Sequence, residues 1–209
     1  MIKLLHRGDT LNYPENTIES IKSALNNINY NGFETDLQLT KDDKWIIFHD
    51  DDTKRLTNKN LIIKNTNYND LPLIKFKDKH FKIPLLKDIT NFKNSMKIFN
   101  LEIKEKFNIS DSSKNNLLNL IKLIKSPLII SSYNWKWYDW CVDNNLNFAH
   151  LIEDYNLPEN GEFWIIDYQI LNENIITKIK QKNIKIGCYT LKNKEDLNYN
   201  YDVEIWDNN

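Results

Sequence analysis

Residues 6–8 set a histidine, an arginine and a glycine in a row, and His49 closes an apolar run further on. Around them stand charged residues in alternating pairs, Glu34-Thr35-Asp36 and Glu102-Ile103-Lys104. On an extended strand residues i and i+2 share a face. Glu34 and Asp36 therefore point one way, and Phe33, Thr35 and Leu37 the other. Glu102 and Lys104 repeat the pattern, with Ile103 turned away. Three carboxylates in one interior repel unless something neutralises them, because burying like charge is costly. A hard divalent cation held by oxygens settles them, with Mg²⁺ or Ca²⁺ the natural choices. Arg7 and Lys104 add two positive charges. A cation with an arginine and a lysine is equipment for a phosphate group, whose charge must be met during transfer. His6 and His49 are then the candidate general acid and base near neutral pH. The competing reading is an ion-pair network without a metal. Convergence of all these groups at successive strand ends favours chemistry.

The elements that must position them follow from hydrophobic patterning. Short apolar runs occupy 2–5, 33–39, 45–48, 98–103, 127–132, 148–152, 163–167, 184–190 and 203–206. Between them lie helical patterns at 17–28, 116–125 and 172–182, the first with Asn16 as its expected cap and Glu19 completing a capping box. Strand–helix–strand alternation indicates an α/β fold with a parallel sheet. Only residues 40–44 separate the second and third runs, too few for a parallel crossover, so these two form a hairpin. Pairing Thr40 with Trp45 puts Asp36 opposite His49. With the hairpin arm set aside, eight runs remain, the count of a (β/α)8 TIM-type barrel. The expectation is one such domain over 1–209, with an extra β-hairpin arm after the second strand and no final helix. Functional groups in this fold collect at the C-terminal strand ends, where His6, Arg7, Glu34, Asp36, Glu102 and Lys104 sit.

The ordered set resembles the glycerophosphodiester phosphodiesterase family. The matching pieces are His6-Arg7-Gly8, five residues, Pro14-Glu15-Asn16-Thr17, then Glu34-x-Asp36, Thr40-x-Asp42, His49-Asp50 and Glu102-x-Lys104. The resemblance is sharp over 6–104 and architectural from 128 onward. It implies a metal-dependent phosphodiester hydrolase that yields glycerol phosphate and an alcohol. Carried over by position, it implies Glu34, Asp36 and Glu102 as metal ligands, His6 and His49 as the acid–base pair, and Arg7 and Lys104 as phosphate-holding residues. It also implies attack by a neighbouring glycerol hydroxyl to give a cyclic phosphate that water opens. The chain departs from the family at Asp43, where a glycine is usual. Further departures are Thr53 in place of leucine, the partial Arg55-Leu56-Thr57, and the closing Trp206-Asp207-Asn208-Asn209. No sizeable insertion stands out between His49 and Glu102, so a shallow, open pocket is expected.

Bulk properties set the remaining expectations. The chain has 209 residues, 41% of them hydrophobic and 12% aromatic, enough for one core. A formal charge of −1 without a long basic run argues against nucleic-acid and anionic-membrane partners. Two distant cysteines, Cys141 and Cys188, fit a reduced compartment, and Cys188 reads as a packing residue. Met1–Leu5 runs straight into the histidine motif, and no apolar run reaches membrane-spanning length. A cytoplasmic protein acting on a small glycerophosphodiester is expected, with a homo-oligomer as one way to cover the barrel face. Asp50 is placed to orient His49, while Asp51 and Asp52 read as solvated loop. His80 and His150 fall outside the cluster. Trp135, Trp137 and Trp140 read as core or helix face, or as an alcohol-binding groove. Asp167, Tyr168, Tyr189, Trp206 and Asp207 end late strands and are candidate pocket walls. The competing functions are a lysophospholipase D-like enzyme and a non-catalytic phosphate or metal binder. Retention of both histidines weighs against the second.

Overall fold

The computed structural model describes residues 1–92, 96–193, 196 and 199–208. Its strands are β1 (Ile2–Leu5), β2 (Gly32–Leu39), β3 (Trp45–Ile47), β4 (Ile74–Phe76), β5 (Lys79–Phe81), β6 (Ile98–Ile103), β7 (Leu128–Ser132), β8 (Phe148–Ile152), β9 (Phe163–Asp167), β10 (Lys185–Leu191) and β11 (Val203–Trp206). Eight of them form a parallel ring in the order β1-β11-β10-β9-β8-β7-β6-β2, closed by β1 on β2. The (β/α)8 expectation therefore holds, and strand boundaries agree within a residue, the usual scatter. Gly32 opens β2 against β6. A Cβ there would run into the Ile98 carbonyl, so no side chain fits between the two strands.

Alternation along each strand divides the core. Leu4, Ile129, Ala149, Leu151, Ile165, Val203 and Ile205 fill the barrel interior. Phe33, Leu37, Phe99 and Leu101 face outward onto α1 (Ile18–Asn26) and α3 (Asp111–Leu123), meeting Ile21, Leu117 and Ile121. Ile166, Ile186 and Cys188 meet Ile175 and Ile179 of α5 (Glu173–Gln181). Each such buried aliphatic side chain stabilises the fold by about 1.5–3 kcal/mol. Cys141 and Cys188 are both buried, and burial pushes each thiol up to about 12, which agrees with the packing role expected of Cys188.

The helical layer is thinner than strict alternation predicts. α2 (Leu86–Ile89) and α4 (Trp137–Asp143) are short. The connection 153–162 between β8 and β9 contains no helix. Its Pro158 and the left-handed Gly161, φ 94°, interrupt any helical run, and Gly161 packs on the His150 ring. Residues 207 and 208 follow β11 without a helix. Asn209, the last residue of the closing motif, lies outside the described residues. No helix among the described residues is long and apolar enough to cross a membrane.

Three local expectations are corrected. The cap of α1 is Thr17, whose Oγ1 accepts from the Ser20 amide while Ser20 Oγ accepts from the Thr17 amide. Asn16 is freed for the site, and Glu19 plays no part in the capping box. The hairpin register places Leu39, not Thr40, opposite Trp45, so Asp36 lies across from Phe48 rather than His49. The turn closes on Thr40 and Lys44, with Asp43 in the left-handed region at φ 56°, where a glycine would sit without strain. Finally, the stretch between His49 and Glu102, expected to hold no sizeable insertion, does hold one. It carries the small β4–β5 sheet and buries Ile46, Phe48, Ile63, Ile74 and Ile83 in a core of its own. Alternation in short, separated pieces hid this excursion.

Candidate active site

The first loop is shaped before it is functional. Arg7, Gly8 and Asn16 all have positive φ, at 56°, 83° and 58°. Gly8 meets the side chain and backbone of Ser20 on α1, within 2.9 Å of where a Cβ would lie, so only glycine lets the loop turn here. This answers the spacing of His6-Arg7-Gly8. The histidine leaves β1 with interior parity, the arginine reverses the chain, and the glycine lets helix α1 close on it.

The polar side of the barrel interior lies on β1, β2 and β6. Glu34 and Asp36 of β2 and Glu102 of β6 present ligand oxygens that all lie within 4.8 Å of one another. Glu34 and Asp36 are buried, 4% and 1% exposed. The Glu34 Oε1 atom is buried without a hydrogen-bond partner. A buried, unpartnered carboxylate oxygen among two further carboxylates fits a bound divalent cation, which needs such oxygens and few nitrogens. Burial and the neighbouring Asp36 and Glu102 carboxylates push Glu34 well up. Glu102 is pushed up to about 7 by burial, with Asp36 adding to it. Asp36 goes the other way. Burial opposes its charge, but Arg7, His49, Lys104 and the Asn16 amide hold its carboxyl below the usual range.

The two cations sit beside the carboxylates. Arg7 Nε is 3.4 Å from Asp36 Oδ2, and Arg7 Nη1 donates to Glu15 Oε1 at 2.9 Å. Lys104 Nζ lies 3.8 Å from Asp36 and 3.4 Å from Glu102. Asn16 Nδ2 donates to Asp36 Oδ2 at 2.8 Å, and its Oδ1 accepts from Thr35. The PENT segment thus serves the carboxylates directly.

Each histidine is anchored by its own carboxylate. His6 Nδ1 is 2.7 Å from Asp207 Oδ1, and His49 Nδ1 is 2.7 Å from Asp50 Oδ1. A carboxylate accepts only, so Nδ1 carries the proton in both rings and Nε2 is left unprotonated. His6 Nε2 lies 3.9 Å from Glu34 Oε2. Burial, chiefly, lowers the His49 proton affinity. Both rings line one cavity of about 110 Å³ with Arg7, Glu34, Glu102 and Lys104, roofed by Tyr133 and Tyr189. Tyr133 donates to the Tyr189 hydroxyl at 2.8 Å, which donates to the Ile152 carbonyl. A groove of about 620 Å³ adjoins this cavity, sharing Glu102, Lys104, Tyr133 and Leu151 and running past Trp135 and Lys136. Another depression, about 580 Å³, lies at the opposite end of the barrel against Ile2, Ile129 and Phe148, away from these groups.

All seven residues singled out for chemistry meet in this one place. Of the late-strand candidates, Asp207 and Tyr189 join them. Asp167 and Tyr168 do not line the cavity, and Trp206 bonds to Glu204 instead. Of the tryptophans, Trp137 is core and Trp135 lines the groove. His150 is buried against Trp135, Tyr138 and Phe148, and His80 is exposed on β5. Two contributors escaped the pattern. Gln38 Nε2 donates to the carbonyls of Phe48, His49 and Asp50 at 2.8–2.9 Å, gathering the turn that carries His49. Arg55 joins Glu15 to Asp50. A buried glutamine at interior-flanking parity in β2 was the available signal for the first.

Comparison with known proteins agrees with this geometry. The model of the glycerophosphoryl diester phosphodiesterase family matches residues 6–144. The chain belongs to that family. A glycerophosphodiester phosphodiesterase of Caldanaerobacter subterraneus subsp. tengcongensis is 27% identical over 213 residues, spanning 93% of this chain and 87% of that protein. Bacillus subtilis YqiK, an uncharacterised protein, is 24% identical over 92% of this chain and 87% of its own length. The crystal structure of a glycerophosphodiester phosphodiesterase from Thermotoga maritima superposes with a TM-score of 0.81 at 26% identity, covering 100% of this chain and 95% of that one. A phosphodiesterase of Oleispira antarctica, solved with its product sn-glycerol-3-phosphate, shares the fold at a TM-score of 0.83 and 20% identity, covering 100% and 93%.

Proposed function

We propose that this family member hydrolyses glycerophosphodiesters to glycerol phosphate and an alcohol, using a divalent cation held by Glu34, Asp36 and Glu102. The observation that carries the reading is two carboxylate-anchored imidazoles lining one cavity with Glu34 and Glu102, whose oxygens converge with that of Asp36. When bound, Mg²⁺ or Ca²⁺ would supply charge neutralisation and polarisation of a phosphoryl oxygen. Arg7 and Lys104 hold the remaining phosphate oxygens and stay charged there, because Asp36 with Glu15 and Glu102 respectively outweigh the burial that would discharge them. One imidazole Nε2 takes the proton of the attacking hydroxyl as its oxygen bonds to phosphorus. The other gives a proton to the leaving alkoxide as the second P–O bond breaks. Reversal of the two roles serves a following hydrolytic step. Asp207 and Asp50 hold the rings in the required tautomer and steady the imidazolium.

The 110 Å³ cavity has room for the phosphate and its nearest atoms only, so the alcohol extends along the adjoining groove beside Tyr133 and Trp135. The apolar walls Leu151 and Ile152 keep a lysophospholipid in view as the rival substrate. Release of the head-group alcohol, choline or ethanolamine, from glycerophosphocholine, glycerophosphoethanolamine and lysophosphatidylcholine tests the choice. Turnover of the two diesters that carry no acyl chain is expected. Turnover of the lysophospholipid alone would replace the substrate, and turnover of none would leave a binding protein.

A further inference from the structure

The two halves of the site stand on different parts of the chain, and one side chain ties them. Arg55 lies on the excursion after His49. Its Nε and Nη2 donate to Asp50 Oδ2 and Oδ1 at 2.6 and 3.0 Å. Its Nη1 and Nη2 donate to Glu15 Oε2 and Oε1 at 2.7 and 2.6 Å. Glu15 in turn accepts from Arg7, and Asp50 from His49. A guanidinium is a planar fork that can grip two carboxylates bidentately, which an ammonium cannot do. Asp50 and Glu15 share the one Nη2, so they are near neighbours of like charge, held together by Arg55.

We propose that Arg55 is a positioning residue that couples the acid–base imidazole of His49 to the phosphate-holding guanidinium of Arg7 through Asp50 and Glu15. This rests on the diesterase reading for its functional meaning, and on geometry alone for the coupling. Without Arg55 the two carboxylates separate. Asp50 then no longer fixes the His49 tautomer, and Glu15 no longer sets the Arg7 fork. The Asp207–His6 pair bonds to none of Arg55, Asp50 and Glu15 and keeps its geometry.

The first test reads the imidazole protons by ¹H–¹⁵N NMR, assigned by their loss in His49→Asn and His6→Asn. In Arg55→Ala the Nδ1 proton of His49 is expected to shift and broaden while that of His6 stays in place. Arg55→Lys, which keeps the charge without the fork, is expected to behave like Arg55→Ala. Glu15→Gln, which leaves Asp50 bound, is expected to spare the His49 signal. Turnover of glycerophosphocholine is the second readout. kcat is expected to fall about 10- to 100-fold in Arg55→Ala, as for other residues that orient working ligands, and Arg55→Ala on the Glu15→Gln background is expected to cost less than on wild type. An unmoved His49 proton in Arg55→Ala would overturn the coupling, as would full activity in a lysine variant. Absence of turnover in the wild type would instead overturn the diesterase reading, with the NMR result still deciding the coupling.

Discussion

Replacing Glu102 by glutamine in the metal-free protein should make it more stable, and by an amount that depends on pH. Burial and the nearby Asp36 raise the Glu102 carboxyl from 4.5 to about 7. At about 1.4 kcal/mol for each tenfold change in proton affinity, that rise corresponds to about 3 kcal/mol. The sign follows from proton counting. Between those two values the folded state keeps the proton on Glu102 and the unfolded chain has released it. Stability contributed by this group therefore falls as pH rises. Glutamine has the same shape and never ionises. In EDTA the variant and wild type should melt together below about pH 4.5, and the variant should be about 3 kcal/mol more stable above about pH 7, at the raised carboxyl value. For a chain of this size that is a melting-temperature gap of about 6–12 °C. Burial lowers the proton affinity of His49 and takes His150 down to about 4, so both groups act in the opposite direction as pH rises. They are present in both proteins and cancel in the difference. The assay is thermal melting by circular dichroism from pH 4.5 to 8, with and without millimolar Mg²⁺ or Ca²⁺. Cation at a hundredfold excess over its dissociation constant should return about 2.7 kcal/mol to the wild type and less to the variant. A gap that ignores pH, or a wild type that is the more stable protein at pH 8 in EDTA, would refute the reasoning.

Three substitutions probe the supports of the site. Asp207→Asn keeps the bond to His6 but presents an amide to the ring, and kcat for glycerophosphodiester hydrolysis should fall about 100-fold or more with the melting temperature little changed. Gln38→Leu removes the donor shared by three consecutive carbonyls. Urea denaturation should show a loss of about 1–3 kcal/mol, with kcat lowered because the His49 turn loosens. Gly32→Ala drives a Cβ into the Ile98 carbonyl between β2 and β6, so the soluble, folded yield should collapse, and near-normal yield would mean the strands separate more easily than the register indicates.

The barrel was legible because its strands are short apolar runs rich in isoleucine, leucine and phenylalanine, bounded by polar turns. The charged core of the site was legible for a similar reason. Glu34, Asp36 and Glu102 break an apolar alternation, and a buried carboxylate in a strand has few purposes. What the alternation does not carry is register and reach. The hairpin slipped by one residue because the turn closes around Asp43 in a conformation that spacing does not reveal. His49 still arrives, since Gln38 draws the chain past the strand end. The capping assignment failed between two adjacent polar residues. Thr17 took the cap because Asn16 was needed by Asp36. Arg55 stood in a weakened stretch of motif, and its grip on Glu15, 40 residues earlier, is a tertiary contact with no local signature. The helix missing before β9 follows from Pro158 and Gly161, visible in the sequence but outweighed there by the expectation of strict alternation.

The central claim is that two anchored histidines work over a cation held by three carboxylates. Its most direct measurement is turnover of glycerophosphocholine by chelator-treated protein before and after Mg²⁺ or Ca²⁺ is restored, in wild type, His6→Ala and His49→Ala, with cation binding followed by calorimetry in each. Activity should be lost with the cation, return with it in the wild type alone, and remain at least about 100-fold down in both histidine variants although they still bind the ion. Full activity in EDTA, or a histidine variant that turns over like the wild type, would contradict the account.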